Sequence, residues 1–258
     1  MVPSLIGQDN RFFPEIEDYE KDLNKMPRAT KLVVLNIFYF TSNDFSLYRF
    51  TEYQLIESNY PYCIIGEHLK SIDPIAEEYE IKRLKRLGWD PLEIGYELSQ
   101  TGLYGLNPSK TVFRASYIDF NLIDKFGHAA QGKQIRGVFT HTDFTGSGVA
   151  SIAYSYLVEK YVYLACDNLQ TIKGATLWAN SMRKRGLVEI YDTTENKFIE
   201  ELGEDACGVN GFIPWDIGRM AAYRLNEWGT RKLNPIPFAC KHIVNIVTER
   251  PLKNLKDS

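Results

Sequence analysis

The chain has 258 residues, a mass of 29.7 kDa and a formal charge of −3, with 30 basic and 33 acidic side chains. Its composition, 44% apolar and 24% charged, excludes a disordered, collagen-like or disulfide-scaffold chain. The near-neutral balance also excludes a uniformly basic nucleic-acid coat protein, although not a local basic patch. The length predicts one large domain or one domain with an elaboration.

The cysteines are sparse and scattered, at Cys63, Cys166, Cys207 and Cys240. No two have CxxC spacing, so the sequence gives no support for a zinc or thioredoxin-like site and predicts no metal. We expect Cys166 to be a small buried apolar residue. The start of the chain lacks a signal-peptide pattern, and the longest apolar-rich run, 32–40, is too short to span a bilayer. We therefore expect a cytoplasmic protein with no membrane segment.

The first predicted elements follow a polar N-terminal arm, residues 1–30. Segment 31–40 is rich in β-branched and aromatic residues, which predicts a buried strand. The later predicted strands are 62–65, 111–123, 134–141, 161–166, 187–191, 197–201 and 238–247. Helices are predicted at 149–160, 171–185 and 214–228.

Two further helices are indicated by their capping residues. Asp73 followed by proline predicts a helix start, and Gly88 predicts its end. Asp90 followed by proline repeats the start pattern, and Glu93 completes a capping box. The second helix is predicted to end near Gly102.

The most informative segment is the loop from Asp143 to Ala150, DFTGSGVA, between the strand 134–141 and the next helix. Gly146 and Gly148 allow a sharp turn and close backbone approach to a ligand. The amides at the helix N-terminus then favour an anion such as a pyrophosphate. A Rossmann motif would require a third glycine where Ser151 stands, and the GK[ST] of a P-loop is absent.

The predicted order of elements from 134 to 201 is β-α-β-α-β-β. Three degenerate sequence motifs lie within this segment. Gly146, Gly148 and Ala150 match Q/R-x-x-G-x-G/A, with Asp143 in place of Gln or Arg. A second pattern of the N-x-x-A-x-x-L-Y type aligns with Thr171, Gly174, Leu177 and Trp178. The third is Gly186 followed by LVEIYD. In this order and spacing the segment resembles the GNAT superfamily of acetyl-CoA-dependent N-acyltransferases.

The resemblance implies an α/β (α+β) fold with a mixed sheet flanked by helices. The acyltransferase core would cover 31–201, with a helical insertion at about 73–102 and a C-terminal extension over 202–258. It implies acetyl-CoA or another acyl-CoA as cofactor and an amine that attacks the thioester directly. The implied pyrophosphate-binding amides belong to Phe144, Thr145, Gly146, Ser147, Gly148, Val149 and Ala150. Pantetheine would add to the edge opened where strands 134–141 and 161–166 splay apart.

Other site residues are implied in the same way. A backbone amide near Val138, Phe139 or Thr140 would polarise the thioester carbonyl, and Thr171 would contact the cofactor. His141, at the end of the central strand, is the candidate general base. Ser181 is either a proton donor to the thiolate or a surface residue.

Three positions carry alternative interpretations. Asp167, with Asn168, either orients the acceptor amine or caps the next helix, and the cap is the favoured role. Asp143 would repel a pyrophosphate unless it caps the helix from outside. Trp178 stands where the family frequently has a tyrosine acid; because indole does not titrate usefully, we expect it to pack in the core.

A different hypothesis is a helix-turn-helix over 75–118, with a third helix opening at 107. Its basic residues are Lys82, Arg83, Lys85 and Arg86, and its candidate DNA readers are Ser109, Lys110 and Arg114. Combined with an acyltransferase core, it predicts a base-modifying enzyme like the phage Mom-type DNA modifiers. A third possibility is a catalytically inactive GNAT-like interaction protein. The acceptor class stays open, and an oligomer is possible.

Overall fold

The computed structural model describes residues 4–6, 23, 26–42, 44–105, 110–204, 206–215 and 243–249. The described chain is mixed α and β, as the predicted helices and strands indicate, and contains a nine-stranded, mostly antiparallel sheet. The sheet order is β10 (Lys197–Glu201), β9 (Gly186–Asp192), β11 (Ile243–Glu249), β7 (Leu164–Ala165), β6 (Ala129–Thr140), β5 (Lys110–Ile123), β4 (Tyr62–Leu69), β3 (Leu47–Ile56) and β2 (Lys31–Thr41). The chain divides into two compact units: the first is Met1–Asp18, Asp119–Arg136 and Tyr154–Ser258, and the second is Tyr19–Ile118 and Gly137–Ala153.

The second unit is built on antiparallel strands. These are β2 (Lys31–Thr41), β3 (Leu47–Ile56), β4 (Tyr62–Leu69), and the adjoining parts of β5 (Lys110–Ile123) and β6 (Ala129–Thr140). Strand β3 has no counterpart among the sequence predictions. The prediction of a strand at 111–123 is confirmed, and this strand pairs with β4.

Helices α1 (Pro74–Arg86) and α2 (Pro91–Ser99) lie between β4 and β5 in the chain, and both caps are confirmed. The Asp73 carboxylate accepts the N–H groups of the first turn of α1, and Asp90 forms a capping box with Glu93. Gly88 ends α1 at φ +86°. The helices cover one face of the sheet through a buried cluster, Leu47, Leu69, Ile81, Leu84, Ile94 and Leu98.

Segment 31–40 is predicted to be a buried strand, and the prediction that it is buried is wrong. The segment is a strand, but it is the terminal strand of the sheet order and pairs only with β3 among the described residues. Leu32 is 45% exposed, Val34 52% and Ile37 49%. An apolar composition indicates burial on both faces, whereas at the end of the sheet order the aliphatic side chains of this strand stay partly exposed.

The first unit contains a parallel pair, β1 (Ser4–Ile6) with β8 (Leu169–Thr171). Its other strands are β7 (Leu164–Ala165), β9 (Gly186–Asp192), β10 (Lys197–Glu201) and β11 (Ile243–Glu249). Strand β11, from the C-terminal segment, pairs antiparallel with both β7 and β9. Strand β7 pairs parallel with β6 at Lys133↔Leu164 and Gln134↔Ala165. The predicted strands at 187–191 and 197–201 are confirmed.

Helix α3 (Val149–Tyr161) runs from the second unit into the first, close to its predicted bounds. The predicted helix at 171–185 is helical from residue 172. It is α-helical at Ile172–Thr176 (α4), a π-helix at Leu177–Met182 and α-helical again at Arg183–Arg185. Trp178 is 1% exposed and packs edge-on against Tyr154, which confirms its core role.

Two predictions fall at least partly beyond the described residues. Residues 216–228 of the predicted helix 214–228 lie outside the described residues. The same holds for residues 238–242 of the predicted strand 238–247. Residues 243–247 of the latter are indeed strand, within β11. In the part of the chain that the structure describes, no helix is long and apolar enough to cross a membrane.

Candidate functional site

The loop between β6 and α3 turns twice before the helix begins. His141 ends the strand and caps a 3₁₀ turn at Thr142–Phe144. Gly146 and Gly148 then take φ values of +90° and +89°, the left-handed region that favours glycine. A Cβ at either glycine would meet no atom within 4 Å, so the protein itself leaves open space there.

The amides of this loop fall into two groups. Those of Asp143, Phe144, Thr145 and Ser147 donate to acceptors within the loop. Those of Gly146, Gly148, Val149 and Ala150 have no hydrogen-bond partner among the described residues. The last two belong to the first turn of α3, where helical N–H groups lack intrahelical acceptors. The unused donors therefore lie together at the positive end of a 13-residue helix.

Beside the loop, Phe144 is the centre of a ring cluster that the sequence did not predict. Its ring centroid lies 5.3 Å from that of His68 on β4, 5.9 Å from His141 and 6.1 Å from Tyr48 on β3. The ammonium of Lys110, on β5, lies 5.7 Å from the same ring centroid. Cross-strand register produces this grouping, because Tyr48 pairs with His68 and His68 pairs with Lys110.

Burial sets the protonation of two groups in this cluster. It lowers the pKa of the half-buried His68, and the nearby Lys110 lowers it further while Asp44 raises it. Burial also raises the pKa of Tyr48, as does the charge of Asp44, whereas the nearby hydroxyls of Ser42, Ser147 and Ser46 oppose this shift. His68 is therefore a neutral imidazole near pH 7.

His141 carries its proton on a definite nitrogen in this arrangement. Its Nδ1 accepts the N–H of Asp143 at 3.2 Å, so in the neutral ring the hydrogen is on Nε2. A neutral His141 thus offers a donor through Nε2, while its Nδ1 lone pair is occupied. The sequence hypothesis of a base at His141 would require this hydrogen bond to break.

Asp143 does not cap α3, contrary to the sequence hypothesis. The residue lies in the 3₁₀ turn, and its carboxylate is 69% exposed and 3.5 Å from the Lys110 ammonium. It lies equally close, at 3.5 Å, to Nδ1 of His141. The strand β5 brings Lys110 to this position, and its charge offsets that of the carboxylate beside the loop.

The amide directions of β6 reverse along the strand. The Lys133 amide donates to Tyr163, on the side of β7, whereas the His141 amide donates to Val112 of β5. Regular alternation would direct both odd-numbered amides to the same edge, so the strand is irregular between them. Val138, Phe139 and Thr140 lie at the end of β6. The ring centroid of Phe139 lies 5.7 Å from the guanidinium carbon of Arg114.

Asp167, Ser181 and Thr171 belong to the first unit. Asn168 accepts the side-chain amide of Gln134 at 2.9 Å, and its own N–H donates to Asp167. The favoured prediction that Asp167 or Asn168 caps the next helix is wrong, because β8 intervenes before residue 172. Ser181 lies in the π-helix and is half-buried. Thr171 immediately precedes α4, as a cap would.

Cys166 is fully buried and accepts the Asn245 amide on its sulfur, which confirms the apolar role predicted for it. Burial raises the pKa of its thiol to about 12. No group of three metal-ligating side chains converges anywhere in the described ranges.

The helix-turn-helix interpretation fails at its third element. Residues from Lys110 onward form strand β5, and Arg114 is 7% exposed within it, so it cannot read DNA from there. Asn107 and Ser109 lie outside the described residues. On α1, Lys82 and Arg83 form ion pairs with Glu78 and Glu80, which reduces the basic character of that face.

Comparison of the chain with protein-family models, with curated proteins and with solved structures finds no match.

Proposed function

We propose that the chain is an acyl-CoA-dependent N-acyltransferase and that the β6–α3 loop binds the cofactor pyrophosphate. The observation that carries this proposal is the set of four unpartnered amides, at Gly146, Gly148, Val149 and Ala150, over an open surface at a helix N-terminus. Such a group of donors binds a phosphate without a basic side chain. Lys110 adds a positive charge next to the loop.

The strand arrangement supports an acyl-CoA over other phosphate ligands. Strands β6 and β7 are parallel and joined through α3, yet their pairing stops after Gln134 in the described residues. In the second unit, β6 continues through Val138 and Thr140. An extended pantetheine arm would pair with this part of β6 as a strand does. A thioester carbonyl at its end would be polarised by one of these amides.

The imidazoles beside the loop supply a base and a hydrogen-bond donor in this proposal. His68 is neutral near pH 7 and would accept the proton of the attacking amine. His141 would donate a hydrogen bond from Nε2–H to the leaving sulfur, which departs as the CoA thiolate and takes its proton from water. The nitrogen–carbonyl bond forms as the carbon–sulfur bond breaks, so the acyl group moves directly from sulfur to nitrogen. This scheme does not use Asp167 to orient the amine or Ser181 to protonate the thiolate, the roles that the sequence analysis considers for them.

The test replaces the loop glycines and compares them with glycines of the same backbone geometry. Gly146→Leu/Gly148→Leu places side chains in the space where the pyrophosphate would lie. Gly88→Leu/Gly127→Leu is the matched control, because these residues have φ of +86° and +84° and open surroundings. Both pairs carry a similar backbone cost, roughly 1–2 kcal/mol per residue.

We expect the loop pair to weaken acetyl-CoA binding at least about 10-fold, or about 1.4 kcal/mol, and the control pair to leave it unchanged. Release of free CoA thiol in the presence of a panel of amines reports the transfer itself. Equal loss of binding in both pairs would show that the loop glycines matter only for folding, and the proposal would then be rejected.

A further inference from the structure

Helices α1 and α2 of the second unit expose an unusual number of large apolar side chains. Seven side chains between residues 72 and 96 are 39–83% exposed: Ile72, Ile75, Tyr79, Leu87, Trp89, Leu92 and Tyr96. Residues 44–105 are described without a gap, so these exposed fractions belong to one continuous stretch of the chain. Single exposed apolar residues are ordinary, whereas a group of this size marks an interaction site.

The two helices form an antiparallel hairpin. The residue before α1 and the residues after α2 meet in a bridge, Ser71↔Tyr104, and the amide of Ile72 donates to the carbonyl of Leu103 at 2.8 Å. At the other end, Gly88 joins the helices through a short turn. The start of α1 therefore lies beside the end of α2, and both helices pack on the same buried cluster.

The helical repeat places the exposed residues on the outer face of this hairpin. On α1, Ile75 and Tyr79 lie one turn apart and on the opposite side from the buried Leu84. On α2, Tyr96 lies on the opposite side from the buried Ile94. The side of each helix that faces away from the sheet is therefore partly apolar.

We infer that this outer face is the interface of a two-fold dimer, in which α1 of each copy lies over α2 of the second copy. This arrangement arises when two hairpins meet face to face with the two-fold axis along the helices. It is self-complementary and closed, because each copy contributes the same single face. A standard interface buries about 800 Å² on each partner, and the seven side chains supply an area of that order.

The apolar residues match across this axis. Tyr79 lies nine residues before Gly88 and Tyr96 lies eight residues after it, so both are roughly 12–14 Å from the turn along the hairpin. An axis along the helices conserves this distance. Tyr79 of one copy therefore faces Tyr96 of the other, and each dimer contains two such pairs of aromatic rings.

The charges favour a second copy in this orientation. The basic residues of α1 lie in its second half, 82–86, whereas α2 carries acidic residues and no base in its last turn. Arg86 is exposed and makes no ion pair in the part of the chain that the structure describes. The proposed axis brings Arg86 over the first turn of α2 of the other copy, where Asp90 and Glu93 lie. An axis across the helices would instead bring acidic α2 against acidic α2.

The same charges disfavour two other occupants. Segment 71–105 contains four basic and seven acidic residues, the latter being Asp73, Glu77, Glu78, Glu80, Asp90, Glu93 and Glu97. Anionic lipid surfaces and nucleic acids bind basic faces. A net negative hairpin with separated charges suits a copy of itself better than either of these.

The experiment uses charge pairs that report the orientation. In Tyr79→Lys/Tyr96→Glu, each lysine would face a glutamate of the other copy. In Tyr79→Lys/Tyr96→Lys and Tyr79→Glu/Tyr96→Glu, like charges would face each other. Phe126→Lys/Val209→Lys is the matched control, because these apolar side chains are 83% and 62% exposed elsewhere in the chain. Circular dichroism verifies that each variant is folded.

Sedimentation equilibrium from about 1 to 100 µM measures dissociation constants in that range. We expect the wild type, the control pair and the Lys/Glu variant to reach twice the chain mass of 29.7 kDa. The two like-charge variants should dissociate at least about 100-fold more readily, and mixing them should restore a dimer, because lysines then face glutamates.

A wild type that stays monomeric throughout this range would overturn the inference. A dimer that all three charge pairs leave equally stable would overturn it as well, because the copies would then meet through another face. The same holds if the control pair dissociates as readily as the like-charge variants. Growth beyond a dimer would contradict the closed two-fold arrangement.

Discussion

The His68 imidazole and the Phe144 ring lie with their centroids 5.3 Å apart and their planes tilted by 47°. One residue is on strand β4 and the other is in the turn that leads to Gly146 and Gly148. This contact attaches the loop to the sheet of its own unit. It also places a half-buried, titratable ring beside the turn that precedes the proposed pyrophosphate-binding amides.

Acidification should weaken this attachment. The pKa of His68 is lowered in the folded chain, so its contribution to stability is present above the unfolded pKa of about 6.5 and is lost as pH falls through the folded value. We expect the free energy of unfolding to fall between pH 7.5 and 5.5, and His68→Gln to reduce that slope. His128→Gln, at an exposed turn, is the control. Denaturant titrations at the two pH values measure it, and an identical slope in the His68 variant would refute the assignment.

The proposed role of His68 as a base also predicts how kcat/KM depends on pH. If His68 accepts the amine proton, kcat/KM should rise with pH through the titration of this residue. His68→Asn should lower kcat and flatten the profile while leaving acetyl-CoA affinity nearly unchanged. A pH–rate profile that keeps its shape in this variant would assign the base to another group.

Close packing of α2 on β2 predicts an unusual effect of alanine. A Cβ on Gly95 would lie 2.6 Å from the backbone of Tyr39 and Phe40. Alanine favours a helix over glycine by about 1 kcal/mol, but this overlap should outweigh that gain and destabilise the fold by roughly 1–3 kcal/mol. Gly102→Ala, which meets nothing within 4 Å, is the control. Urea unfolding of both variants would contradict this account if Gly95→Ala were the more stable.

The buried cysteines should resist alkylation. Burial raises the pKa of Cys63 and of Cys166 to about 12, so at pH 8 only about one thiol in 10⁴ is ionised. We expect iodoacetamide to modify both only after unfolding, as peptide mapping by mass spectrometry would show. Rapid labelling of Cys166 in the native protein would instead indicate local opening of the first unit around Asn245.

The nucleic-acid hypothesis also has a direct test. Since Lys82 and Arg83 are paired with glutamates and Arg114 is buried, we expect no strong duplex binding at physiological salt. Replacing Lys82, Arg83, Lys85 and Arg86 together should leave any residual affinity and its salt dependence unchanged. A duplex affinity that falls sharply in this variant would restore α1 as a DNA-contacting surface.

Local signals predicted some of these features and long-range register determined the rest. Asp73, Asp90 and Gly88 act within one helical turn, so their roles were readable from the sequence. The glycine loop was readable for the same reason. The burial of β2 was not, because exposure depends on which strand ends the sheet. His68 and Lys110 reach Phe144 only through the pairing of β4 with β5, which no local pattern encodes.

The most direct test of the proposed function is a calorimetric titration of the wild-type chain with acetyl-CoA and, separately, with NAD. Both ligands carry a pyrophosphate, but only acetyl-CoA has a pantetheine arm that could pair with the end of β6. The account predicts micromolar binding of acetyl-CoA, about −8 kcal/mol, and no comparable binding of NAD. No binding of acetyl-CoA would mean that the Gly146–Gly148 loop is only a tight strand-to-helix turn.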